Sequence, residues 1–203
     1  MEKQQSILDN SLPLVFVSDA VFMPGSITNI DLPLSDYKNI LQYETDQGLF
    51  FLCGFFSSFD KSKVLPCGVK VFVVDIAYLD NSNISVLIEG IEAVDVNFLS
   101  QSSCSPKSSG SILSIVDYSE IKPWADLPEN CNIDLLKQDV YGTSSFDADA
   151  SYPDLKYKGD NLVILRWLEI IPIPNELKFD FLKEVDARNV VLLITIMISN
   201  VSV

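Results

Sequence analysis

The sequence predicts an α+β fold, a β-rich first part followed by helices, and three observations carry that expectation. VKVFVVDIAYL and NISVLIEGIEAVDV are long β-branched runs joined by DNSN, which reads as an antiparallel hairpin. GLFFLCGFF is apolar at both parities, as a strand covered on both faces is. After Trp124 the texture changes to apolar residues at helical spacing.

Taken in order, SLPLVFVSDAVFMPGSITNIDLPL, residues 11–34, breaks short apolar runs with Pro13, Pro24, Gly25 and Pro33. It predicts a strand, a tight turn and a second extended segment. SDYKNILQYETDQG follows with a helical pattern: Ser35 as N-cap, Tyr37, Ile40 and Leu41 on one face, and Gly48 as its end. FFLCGFFSSF then places five of the twelve phenylalanines in ten positions. Phe50 to Phe55 are expected in the core. Phe56 and Phe59 lie where the strand gives way to the polar SSFDKSKV, and they are the candidate binding residues. A loop aromatic without a buried partner exposes an apolar patch; the alternative is that Phe59 folds back as a loop anchor.

In the hairpin, Gly90 inside the second strand predicts a bulge or bend, as where a sheet curls into a barrel. QSSCSPKSSGS is a polar, flexible loop leading into the strand SILSIVDYSEI, so roughly the first 120 residues are mostly β. CNIDLLKQDVY predicts a short helix with Ile133, Leu136 and Val140 on one side, and GTSSFDADASYPD a polar linker. GDNLVILRWLEIIPIP reads as a buried helix begun by Asp160 or Asn161 and stopped by Pro172 and Pro174. Beyond it, Leu177, Phe181 and Val185 recur at spacing four. The run from Val190 to Ile198 is left open by propensity: β-branching favours a strand, and Asp186 before it favours a helix N-cap. It is too short for a membrane span.

Composition narrows the function classes. A chain of 203 residues with 48% hydrophobic content can bury a real core. Its 28 acidic against 14 basic residues give a net charge of -14, a field that repels phosphate backbones and anionic headgroups. Neither nucleic acid nor membrane is an expected partner. MEKQQSILDN has no basic region leading into an apolar one, so a cytoplasmic protein is expected. The four cysteines, Cys53, Cys67, Cys104 and Cys131, form no CxxC, and without histidine a zinc site would need all four thiolates from distant segments. No metal is expected, and Cys53 and Cys67 read as small buried hydrophobes. The absence of histidine also removes the Ser-His and Cys-His pairs, and the eight glycines form no phosphate-cradling loop. Carboxylate pairs such as Asp147 and Asp149 arise by chance on so acidic a surface. No catalytic residue and no cofactor is therefore expected.

Five segments in register, LPLVFVSDAVFMPG, LPLSDYKNIL, LPCGVKVFVVDI, ISVLIEGIEAVDV and LRWLEIIPIPNELKFDFLKEVDARNVVLL, resemble the N-terminal substrate-binding domain of the Lon ATP-dependent proteases. The residues that carry the resemblance are Pro13 in the opening LPL strand, Phe22, Pro24 and Gly25 in an FPG-like turn with Met23 inserted, Gly68 before the first hairpin strand, Gly90 inside the second, and Trp167. The resemblance implies a PUA-like antiparallel β-barrel over residues 1–125, a helical subdomain over 126–203, and a helix from Val190 to Ile198. It further implies a non-catalytic bacterial module that grips unfolded or apolar polypeptide, in a groove between barrel and helices, in the service of a protease. On this resemblance the expectation is a stand-alone member of the family, without the ATPase and peptidase parts. One departure stands out: the family places arginine and a second basic residue after the second-strand glycine, where this chain has Ile91, Glu92, Ala93 and Val94. Alternatives on the same fold are a small-molecule-binding or carboxylate-based hydrolytic protein and a homodimerising interaction domain.

Overall fold

The computed structural model describes residues 11–17, 21–97, 112–122, 124, 133, 159–184 and 186–201. Six strands come first: β1 Ser11–Val17, β2 Ile27–Pro33, β3 Phe50–Phe56, β4 Val64–Tyr78, β5 Asn83–Asn97 and β6 Ile112–Glu120. Between β2 and β3 lie helix α1, Leu34–Ile40, and a 3-10 turn, Leu41–Tyr43; α2 Asp160–Ile170, α3 Asn175–Lys183 and α4 Ala187–Val201 follow the strands. The fold is α+β, as expected.

The sheet runs β2-β5-β4-β3-β1-β6, and β6 returns to pair with β5, so five strands close a ring of hydrogen bonds. β5 serves two neighbours in succession: Asn83 to Glu89 pair with β2, and Val94 to Asn97 pair with β6. The handover falls at Gly90, where Val71 faces Gly90 and Lys70 faces Glu92, leaving Ile91 as the bulged residue. The burial of β5 follows the same division, alternating in its first half and continuous in its second. The hairpin turn is closed by Asp80, whose Oδ1 accepts from the Ser82 and Asn83 amides at 2.6 and 2.8 Å.

The resemblance implies an antiparallel barrel, and the sheet departs from that at one pair: β1 and β3 run in parallel from Leu14/Leu52 to Val17/Phe55. The chain between them, carrying β2 and α1, is long enough for the crossover that a parallel pair requires. β3 therefore lies between β1 and β4, and Phe51 to Phe55 are buried while Phe50 is half-buried. Gly68 sits inside β4, opposite Gly54, rather than before the strand.

The helices depart from expectation in detail. α1 begins at Leu34, with Pro33 before it and no side-chain cap, so Ser35 lies within the first turn; Tyr37 and Ile40 are buried but Leu41 is exposed. Gly48 closes a bridge with Thr45 instead of ending the helix. α2 is preceded by Gly159 without a side-chain cap, and Asp160 is its first residue. It stops at Ile171, which is extended, as a residue before proline prefers. α3 buries Lys178, Phe179 and Leu182, not the spacing-four face, since Leu177 is exposed. α4 is helix, as the resemblance implies, and Asp186 Oδ1 accepts from the Arg188 amide at 2.9 Å at its start. The loop 101–111 and the segments around Leu136, Val140, Asp147 and Asp149 lie outside the described residues.

One hydrophobic cluster joins the sheet to the helices, with Val15, Phe22, Phe51, Phe55, Val69 and Val71 meeting Leu165, Phe179, Leu182 and Val190. A smaller one gathers Leu14, Phe16, Leu52, Val94, Val96 and Val116 on the opposite strand parity.

Candidate functional site

The two candidate aromatics have different fates. Phe56, the last residue of β3, is half-buried and packs on the smaller cluster, its ring 5.5 Å from that of Phe16. Phe59 is 77% exposed. The loop that carries it is strongly braced. Ser57 is buried, its amide donates to the Lys63 carbonyl at 2.9 Å, and its Oγ accepts from the Phe59 and Asp60 amides at 3.2 and 3.0 Å. Asp60 Oδ1 accepts from the Ser62 amide at 3.0 Å. The start of α3 completes the brace: Glu176 accepts from the Ser58 amide at 3.0 Å, and the Asn175 amide donates to Ser58 Oγ at 2.8 Å. Asn175 Nδ2 reaches the Phe56 carbonyl at 3.0 Å. The alternative in which Phe59 folds back as an anchor does not occur; Ser57 is the anchor.

The motif residues converge elsewhere. Pro24 and Gly25 occupy the centre of a turn closed by the Ser26 amide on the Met23 carbonyl at 3.0 Å, and Gly25 takes φ 79°, which favours glycine. This turn lies on β5 at Gly90: the Gly25 amide donates to the Gly90 carbonyl at 2.7 Å, and the Gly90 amide to the Ser26 carbonyl at 2.9 Å. Phe22 stands edge-on to Phe55, 5.3 Å between centroids, and Phe55 meets Phe179 of α3 at 5.6 Å. Pro13 is buried in β1 and Trp167 packs partly buried against the main core, each away from Phe59's loop by element.

Sequence reasoning missed the polar latch over that turn. Arg166 donates to the Pro24 carbonyl at 2.7 Å and also bonds Ser26 Oγ and Glu169. Ser26 Oγ donates to Glu169 Oε2 at 2.7 Å and accepts from the Met23 amide at 3.2 Å. Burial lowers the Arg166 pKa, while the Glu169 carboxylate opposes that shift. With its hydroxyl committed on every side, Ser26 is a tie between turn and helix rather than a nucleophile. The available signal was one arginine and one glutamate at i,i+3 in a helix apolar at every other position after Asn161. Lys178 adds a second tie, donating to the Glu169 carbonyl at 2.8 Å at the end of α2.

Another ion pair links β4 to β5. Glu92 accepts from Lys70 Nζ at 3.0 Å, and that ammonium lies 5.4 Å from the Phe50 ring centroid. Burial pushes the Cys67 thiol up to about 12 and the Cys53 thiol well above its ordinary value, so both are neutral and poor ligands or nucleophiles. Cys104 and Cys131 lie outside the described residues. Among the described residues, no three of His, Cys, Asp and Glu gather as a metal site would require, and no helix is long and apolar enough to cross a membrane.

No family model and no curated protein matches the sequence. Solved structures do match. A Lon N-terminal domain protein from Xanthomonas campestris aligns over 90% of this chain and 96% of its own, at a TM-score of 0.59 and 19% identity. The N-terminal domain of a Mycobacterium avium complex Lon protease aligns over 91% and 95%, at 0.55 and 14%. At such identities what is shared is the path of the backbone, and by that path this chain has the fold of the Lon N-terminal domain.

Proposed function

We propose that the chain is a non-catalytic module that binds unfolded or apolar polypeptide segments, with Phe59 as a contact and Phe56 supporting the loop from beneath. The observation that supports this is the braced Phe59 loop. An aromatic residue 77% exposed contributes little to the fold, yet seven neighbouring backbone and side-chain bonds fix the loop that presents it. Ordering costs normally charged to binding are thereby met in advance. The net charge of -14 favours segments that bring lysine or arginine. Delivery to a protease in a bacterial cytoplasm belongs to the same proposal, on the resemblance and the shared fold.

The test is fluorescence anisotropy of a labelled, permanently unfolded polypeptide titrated with the protein and with Phe59→Ser. Saturation at a Kd on the order of micromolar, weakened several-fold in the variant, is the expected outcome. The variant's stability should change by no more than about 0.5 kcal/mol, since the ring is in solvent. Phe56 is left intact because it covers Phe16. Absence of binding by the unaltered protein overturns the proposal; a mass that rises with concentration would then favour self-association.

A further inference from the structure

We propose that the outer edge of β4 from Val74 to Tyr78 is a strand-addition site for an extended polypeptide segment carrying a basic residue, an inference that rests on the polypeptide-binding function and gives it a second surface. β3 pairs with β4 only from Val64 to Phe72, with one further bond from the Val73 amide to the Leu49 carbonyl at 3.0 Å. β4 continues to Tyr78, paired there, among the described residues, with β5 alone.

The phase of the ladder identifies the outward groups. The Leu79 amide donates to the Asn83 carbonyl at 3.1 Å, which makes this the last hydrogen-bonded position before the turn. Counting back by two, Ala77 and Asp75 face β5, and Ile76 and Tyr78 turn their amides and carbonyls to the open side. The Ile76 amide agrees with this: its acceptor is Asp75 Oδ1 at 2.8 Å, a side chain standing where the carbonyl of an added strand would stand.

The side chains beside this edge are apolar. Ile76 lies opposite Val86 and Tyr78 opposite Ile84, both buried in the cluster that includes Tyr37 and Ile40 of α1. Ile76 is 36% and Tyr78 71% exposed, so the apolar face of the sheet runs out past its cover to the open edge. Only an extended backbone offers donors and acceptors at the strand repeat, and its alternate side chains would continue that face.

Charge selects among extended occupants. A second copy would bring another net -14 and, edge to edge, another Asp75. Like charges across a strand pair repel, so self-addition is disfavoured and a segment with lysine or arginine opposite Asp75 is favoured.

The test uses a labelled short peptide alternating valine and lysine, and the same peptide N-methylated on alternate residues, which removes its donors along one edge. The protein is assayed unaltered and as Ile76→Pro and Asp75→Lys, each checked by circular dichroism. Because the Ile76 amide is outside the ladder, proline there leaves the β4–β5 pairing intact. The expected result is saturable binding that falls at least about tenfold on N-methylation, in Ile76→Pro and in Asp75→Lys. Equal binding of both peptides, or equal binding by Ile76→Pro, overturns strand addition. So does binding of the unfolded polypeptide without binding of the alternating peptide, and then the polypeptide-binding function stands alone. If neither probe binds the unaltered protein, both fall.

Discussion

Gly68 and Gly54 face one another across β4 and β3, and the closeness of those two strands depends on what glycine lacks. A Cβ on Gly68 would lie 2.3 Å from the Cys53 carbonyl oxygen, a backbone atom of a strand bonded on both edges. The clash cannot be relieved by a side-chain rotation, only by parting β3 from β4. Gly68→Ala should therefore lower stability by about 3 kcal/mol, read as a shift in urea midpoint at unchanged slope. A loss below about 1 kcal/mol would show that the strands separate freely. The sequence marks Gly68 by its place in a motif but not by this cause, because the obstructing atom belongs to another strand. The same limit applies to Phe56 and Phe59. Both are aromatics at a strand end, and only the neighbours, Phe16 for one and solvent for the other, distinguish them.

Whole elements were legible where one local signal dominated. The β4–β5 hairpin, the bulge at Gly90 and the strand β3 follow from branching, turn chemistry and two-sided apolar character. The buried face of α3 did not follow, because Lys178 counts as polar by composition. In the fold it buries its stem and bonds the Glu169 carbonyl, turning Phe179 and Leu182 inward. The run in α4 was ambiguous locally and was decided by packing, with Ala187, Val190, Val191 and Ile194 on one buried helical face. The first turn of α3 also holds the Phe59 loop, and this contact depends on pH. Partial burial opposes the Glu176 charge, but hydrogen bonds from the Ser57 hydroxyl and from the amides of Glu176 itself, Phe59 and Ser58 outweigh it and hold the carboxyl below its ordinary value. A depressed folded pKa means the contribution is present above the ordinary glutamate range, near pH 4.3, and is lost as pH falls through the depressed value. The hydrogen-exchange protection factor of the Ser58 amide should be constant near neutrality and fall in acid below that range. In Glu176→Gln the acid-dependent fall should vanish; its persistence would assign the effect to another carboxylate.

At the scale of the molecule, barrel and helices share one hydrophobic cluster. Among the contacts that join them are the ring stack Phe22, Phe55 and Phe179, and the latch from Arg166 to Pro24, Ser26 and Glu169. Their energetics differ. The stack gains by burial, whereas the latch holds a guanidinium whose desolvation is offset only while its partners remain. Removing Arg166 alone should thus cost more than removing the pair. Arg166→Met is expected to destabilise by about 3 kcal/mol, and Arg166→Met with Glu169→Leu to recover most of that loss. Because the ring stack survives in both, unfolding should remain one transition. The two tryptophans, Trp124 and Trp167, are well placed to test this: Trp124 Nε1 donates to the Phe181 carbonyl of α3 at 3.3 Å, and Trp167 is in α2. Their fluorescence reports the helical side, and far-ultraviolet circular dichroism reports strands and helices together. Coincident urea transitions in the unaltered protein and in Arg166→Met would show the shared core to be the dominant link. A fluorescence transition that precedes the dichroism in Arg166→Met would instead make the latch the element that keeps the helices on the barrel.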